Sequence, residues 1–449
     1  MKKRWIILMT IMVIISLIGV FMPETPGIWE ADGKMDAANV AWMITATIFV
    51  LMMTPGLSFF YGGMVGQKNV ISTILQSFIA MGIISVMWVV FGFSLAFGDD
   101  IGSFIGNPAT FFMFNGVGAK VDDFLAPTIP LALYALFQMK FAIITPSLIT
   151  GSFAERVRFS AYMVFMMLFC IFVYCPLAHW TWHPDGFLRQ LGVVDFAGGI
   201  VVHASSGIAA LAGAIFLGRR KDAAKPHVPA NIPFVILGAA MLWLGWFGFN
   251  AGSSLAADGV AVKAFLNTNT ASATAMLVWI FFDCLRGRKP SAMGAAIGAV
   301  VGLVAITPSA GYVTVGESIF IALTTTMVCN IAVHWKNHTS VDDALDVFPT
   351  HGIGGIFGTI LTGVFVNGLV AGDIKVFFIH VLAVILVCIY TFVVSYALYW
   401  ITNKMIPMRV SAKSEQIGLD LSQHDEQYGF AGTGDRELAE YAHTEKEDK

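Results

Sequence analysis

Long apolar runs separated by short polar breaks dominate this chain. After residue 35, stretches of about 20 mostly apolar residues, the length a helix needs to cross a bilayer, fall near 40–63, 70–97, 128–152, 160–180, 196–218, 232–254, 266–285, 291–309, 315–335, 349–369 and 375–402. The pattern predicts an all-α polytopic membrane protein with eleven transmembrane helices. An earlier run, Trp5 to Met22, follows a basic head (Lys2, Lys3, Arg4) and precedes a polar, proline-containing break. Residues 1–30 therefore read as a secretory signal peptide or as an extra N-terminal helix. The breaks between the runs alternate in charge. One set carries Lys68; Arg156 and Arg158; Arg219, Arg220, Lys221 and Lys225; Arg286, Arg288 and Lys289; and Lys336. The other holds only Lys120, Arg189, Lys263 and Lys375, together with the acidic pair Asp99 and Asp100. Basic loops stay on the cytoplasmic side, which predicts a membrane domain that starts outside and finishes inside.

Composition agrees. Of 449 residues, 57% are hydrophobic and 12% charged, whereas soluble domains carry about a quarter charged residues. The net charge of −3 gives no reason to expect nucleic acid or another strongly charged partner. Cys170, Cys175, Cys284, Cys329 and Cys388 follow no metal-ligand spacing and read as packing residues in apolar surroundings. Residues 36–403 form the expected membrane domain, and 404–449 a cytoplasmic tail too polar to span. Within it, 431–449 has a disordered composition, while "IGLDLSQHDEQYGF" is patterned enough to be ordered against the membrane domain.

Two histidines stand out against this background. His203 lies in "DFAGGIVVHASSGIAALAGAIF" and His351 in "DVFPTHGIGGIFGTILTGVF", each with an aspartate ahead of it, Asp195 and Asp346. Ionisable side chains inside a span are costly and mark transport or proton paths. The histidines close two sets of five helices. An odd number per set makes the second set run inverted, so the reading is two inverted five-helix repeats plus a last helix, with the site at their interface.

The strings "PGLSFFYGG", "FQMKFAIITPSLITGSFAERVRF", "DFAGGIVVH", "GWFGFNAGS" and "DVFPTHGIGG" resemble signatures of the ammonium transporter (Amt/Mep/Rh) family, in its bacterial and archaeal form. They occur in the expected order across about residues 36–430. The resemblance implies a homotrimer in the cell membrane with one pore per subunit and neither cofactor nor metal. It also implies a PII-type regulatory protein docking on the cytoplasmic face.

The residues support a chemistry beside this. Phe137 and Phe141, four apart, share a helix face; Trp182 ends the fourth predicted helix and Ser253 the sixth. Read alone, these aromatics are an interfacial belt. By resemblance they form an ammonium recruitment site, with the two Phe rings gating the pore beneath. Cation–π attraction there is worth about 2 kcal/mol or more once desolvated. Facing neutral imidazoles at His203 and His351 offer donors and acceptors to ammonia and can relay a proton. The implied mechanism is recruitment of ammonium, deprotonation and passage of ammonia, with or without a co-transported proton. Asp195 can cap the His203 helix or raise the local ammonium concentration by its charge; the capping role is preferred, and Asp346 is expected to act similarly at the start of the His351 helix. Trp246 and Phe249 line the path by resemblance. Lys140 departs from the family pattern. It lies about 100° round the helix from Phe141, so it is expected to point away from the path, toward the outer interface or a neighbouring subunit. Two other readings compete: an ammonium sensor of the same fold with little conduction, and a membrane enzyme using the histidines as metal ligands or acid–base groups.

Overall fold

The structure is a computed structural model that describes residues 2–23, 25–30, 33–223 and 227–429, without the side chains of residues 2–5. Lys225 and the segment 431–449 lie outside the described residues. The chain is 71% helical. We number the long helices α1 (Lys2–Phe21), α2 (Ala37–Met64), α3 (Gln67–Phe97), α4 (Leu131–Ile149), α5 (Phe159–Gln190) and α6 (Gly199–Leu217). There follow α7 (Ile232–Ser254), α8 (Gly259–Leu285), α9 (Ala292–Ile306), α10 (Val315–Lys336), α11 (Phe348–Ala371) and α12 (Ile374–Met405).

Among the described residues, nine of these are long and apolar enough to cross a membrane: α2 to α7 and α10 to α12. Helices α8 and α9 occupy the two remaining places where the sequence predicts spans. The 15 residues of α9 are short for the task. The 27 residues of α8 carry a polar "NTNT" stretch, whose Asn267 amide donates to the carbonyls of Ala310 and Val313 at 2.9 and 2.8 Å. Helix starts are fixed by side-chain caps. Asp36 accepts from Asn39 N at 2.9 Å, Asn231 from Phe234 N at 3.0 Å, and Thr314 with Glu317 closes a capping box on α10.

One end of the bundle, the loop face, carries residues 98–130 with two small hairpins, Asp100–Ile101 with Ile105–Gly106 and Val121–Asp122 with Ala126–Pro130. His179 pins this loop, holding Ala96 O at 2.9 Å and Asp100 Oδ1 at 2.8 Å. The opposite, tail face holds most of the charge. Arg220 there grips Asp342 through two nitrogens at 3.0 Å and Glu155 at 2.7 Å. Arg409 pairs with Glu415 at 3.0 Å, and Arg156 is wholly buried, donating to Asp342 O at 2.6 Å. The tail folds back over this face. Asp420 caps α3 by accepting from Ile71 N at 3.0 Å and Ser72 N at 2.7 Å, and Tyr428 Oη receives Asn231 Nδ2 at 2.7 Å.

Burial raises the Asp342 carboxyl, but the Arg220 hydrogen bonds and the Arg156 and Arg220 charges outweigh it and hold it at about 2, below the ordinary 3.8. A depressed carboxyl stabilises the fold fully above its unfolded value and loses that contribution as pH falls through the folded one. Detergent-solubilised protein is therefore expected to lose thermal stability between about pH 4 and pH 2. Asp342→Asn should begin less stable and change less across the same window. Parallel melting curves for the two proteins would disprove this.

Candidate functional site: a vestibule, an aromatic stack and a two-histidine chamber

Both histidines sit in the first, π-helical turn of their helices, Gly199–Ala204 in α6 and Phe348–Ile353 in α11. Such wide turns are frequent at functional sites. The helices begin at opposite faces and cross where side chains are absent. A Cβ on Gly207 would collide with the backbone of Gly352, and one on Gly355 with Gly199 O, so neither position accepts even alanine without moving a helix. This contact brings His203 Nδ1 within 3.3 Å of His351 Nδ1, the two rings near-parallel at 27°. Trp246 stacks on the His203 ring at 5.2 Å and is itself fixed by Nε1–H to Thr307 Oγ1 at 2.9 Å.

The chamber around the pair is lined otherwise by Leu57, Phe60, Ile144, Leu148, Phe249 and similar apolar groups. Its cavity of about 10 Å³ is the room that the centre of about one water-sized molecule needs. Nε2 of His203 is buried without a partner.

Toward the loop face opens a larger vestibule of about 510 Å³, lined by Phe137, Phe141, Trp182, Asp195 and Ser253 among others. All four residues expected at the recruitment site are thus brought to one cavity. Between vestibule and chamber stands a ring pair: Phe141, of the vestibule wall, stacks on Phe249, of the chamber wall, at 4.2 Å and 28°. The ring stacked face to face on Phe141 is therefore Phe249. Phe137 meets Phe141 edge-on at 4.9 Å from the vestibule side. Sequence spacing alone pairs the two rings of one helix and misses the partner on another.

Asp195 accepts four backbone N–H bonds, from Gly198, Gly199, Ile200 and Val201, at 2.6 to 3.2 Å. Burial pushes its carboxyl up while these donors pull it back toward the ionised form. Its own carbonyl accepts Trp182 Nε1–H at 2.9 Å, so the cap also sets the Trp182 ring.

Asp346 does not play the matching part. Its carboxylate pairs with Lys336 at 2.6 Å, on a backbone held at φ 59°. Burial raises its carboxyl to about 6. The cap on α11 is Asp343, fully buried, accepting Phe348 N at 2.7 Å. Each capping aspartate lies eight residues ahead of its histidine, Asp195 before His203 and Asp343 before His351. That equal spacing was the signal for Asp343. Lys140 stays away from the vestibule wall, as its helix phase predicts, but it is not at an exposed interface. It is 9% exposed, and its ammonium meets Met139 Sδ at 3.7 Å. His380, given no role by the sequence, ties α12 to the loop before Asp195, accepting Val194 N at 3.0 Å. Among the described residues, no three His, Cys, Asp or Glu side chains converge on a metal-sized site.

Apolar helices of spanning length, bundled around a two-histidine chamber and an aromatic vestibule, define a multi-pass membrane protein. The chain belongs to the ammonium transporter family: the sequence profile of the Ammonium Transporter Family matches residues 41–428. It is 44% identical over 404 residues to the ammonium transporter of Bacillus subtilis, covering 87% of this chain and 98% of that protein. Its fold matches the crystal structure of Saccharomyces cerevisiae Mep2 with a TM-score of 0.82 at 33% identity, covering 89% and 93% of the two chains. A structure described as a sensor Amt protein matches with a TM-score of 0.79 at 30% identity, over 86% and 98%. The protein is thus a multi-pass membrane protein of the cell membrane.

Proposed function

We propose that this protein conducts ammonium as ammonia. An ammonium ion is held in the vestibule by Phe137, Phe141, Trp182 and Ser253 and gives up its proton there, either to water that returns it to the bulk or to the imidazole relay, and ammonia passes the Phe141–Phe249 stack and then His203 and His351. The observation that carries the reading is the paired imidazoles, 3.3 Å apart in an otherwise apolar chamber of single-molecule size. An intact ion would shed its hydration there at a cost of several kcal/mol. Neutral ammonia, which donates and accepts as imidazoles do, would not.

The rest of the arrangement follows the same reading. Residues 36–403 form eleven spans in two inverted five-helix repeats plus α12, the loop face outside and the tail face inside, in a homotrimer. Asp195 and Asp343 as matching caps on antiparallel histidine helices support the inversion. Residues 1–30 direct insertion, whether removed afterwards or kept as a further helix, and sequencing the mature N-terminus distinguishes the two. The ordered tail offers a PII-type protein a fixed surface.

The test is an ammonium pulse applied to proteoliposomes, with membrane current and internal pH recorded together. Conduction of ammonia alone gives internal alkalinisation without current; ammonia with its proton gives current. Silence in both channels from folded protein would discard conduction and favour the sensor reading, which the likeness to the sensor Amt structure keeps in view.

A further inference from the structure

Ammonium carries four N–H donors, and a site that strips its water must meet them with acceptors or ring faces. The oxygens of Asp195 and the proton of Ser253 are already engaged. Both carboxylate oxygens of Asp195 are taken by backbone N–H groups, and its carbonyl by Trp182. Ser253 commits its hydroxyl proton to Phe249 O at 2.8 Å, which leaves its oxygen only the role of acceptor.

Two further side-chain oxygens in this wall have no partner: Thr181 Oγ1 and Gln138 Oε1. Their residues are 2% and 8% exposed. Helical hydroxyls elsewhere in this protein commonly donate to the carbonyl four residues back, as Thr47, Ser58, Thr145 and Thr268 do. Thr181 does not. Both residues line the same cavity as Phe137, Phe141 and Trp182. A buried acceptor without a donor is a standing cost that a bound donor relieves.

We propose that Thr181 and Gln138 are specificity-determining residues of the vestibule, whose oxygens accept the N–H groups of ammonium that Ser253 and the rings leave unmet. The inference rests on the reading of this cavity as the recruitment site. Methylammonium has three N–H donors and a methyl group, so it leaves one acceptor unpaired. A site built to bond every N–H discriminates against the analogue that lacks one.

The test is uptake of ammonium and of methylammonium into proteoliposomes by wild type, Thr181→Val, Thr181→Ser and Gln138→Leu, with Trp182→Leu as reference. Valine keeps the shape of threonine and removes the oxygen. The KM for ammonium is expected to rise about tenfold in Thr181→Val, the scale of a hydrogen bond to a charge, with Vmax held. The KM of methylammonium relative to ammonium should fall, and Thr181→Ser should restore both. Gln138→Leu reads the second acceptor by the same ratio and carries the test if the valine variant does not fold. Unchanged KM values and an unchanged ratio in Thr181→Val and Gln138→Leu, while Trp182→Leu raises the KM, would overturn the proposal alone. Unchanged values in Trp182→Leu as well would overturn the recruitment reading beneath it.

Discussion

Alanine at His203 or at His351 is expected to slow ammonium conduction about a hundredfold. Apart from the Trp246 edge, the two imidazoles supply the polar surface of the chamber. Without either one, ammonia crosses hydrocarbon with its donors or its lone pair unmet. That costs about 3 kcal/mol, which is roughly two powers of ten in rate. The rings are also one unit: Nδ1 faces Nδ1, and Trp246 stacks on the His203 side. The double alanine variant should therefore lose little beyond either single one, a strong departure from additivity. Stopped-flow internal pH in proteoliposomes measures all three. Wild-type rates in either single variant would remove the histidines from the path, whatever the fold.

The largest effect on stability is expected at Asp195. Its carboxylate closes four N–H groups of the first α6 turn in a buried setting. Alanine there orphans four donors at about 1 kcal/mol or more each, for a total of about 3 to 5 kcal/mol. Asp195→Ala should melt far below wild type in detergent or fail to accumulate, and Asp195→Asn, which keeps an acceptor oxygen, should fall between. A different result would follow if the residue served only to attract cations by its charge. Both variants would then fold like wild type, and both would show the same raised KM.

Much of this was legible in the sequence because bilayer physics leaves so few options. Apolar length located α2 to α4, α6, α7 and α10 to α12 to within about three residues and missed the last ten of α5, and the polar exceptions, His203 and His351, marked the chamber. What could not be read was set by contacts between segments distant in the chain. The partner of Phe141 is 108 residues away at Phe249, so no local spacing announces it. Asp343 rather than Asp346 caps α11 because Lys336, from the preceding helix, claims Asp346. Helix phase turned Lys140 off the vestibule wall, but its burial beside Met139 depends on neighbours that phase cannot supply.

The docking of Asp420 on the start of α3 bears on how the protein is made. Ile71 and Ser72 leave the ribosome early, whereas their acceptor arrives about 350 residues later, after every membrane helix has been synthesised. Until then the N–H groups at the start of α3 have only water or headgroups to bond. At ordinary elongation rates that interval is of the order of tens of seconds. The last part of the chain thus finishes one of the first helices, and a nascent protein that stalls before residue 420 carries an unfinished membrane domain for quality control to recognise.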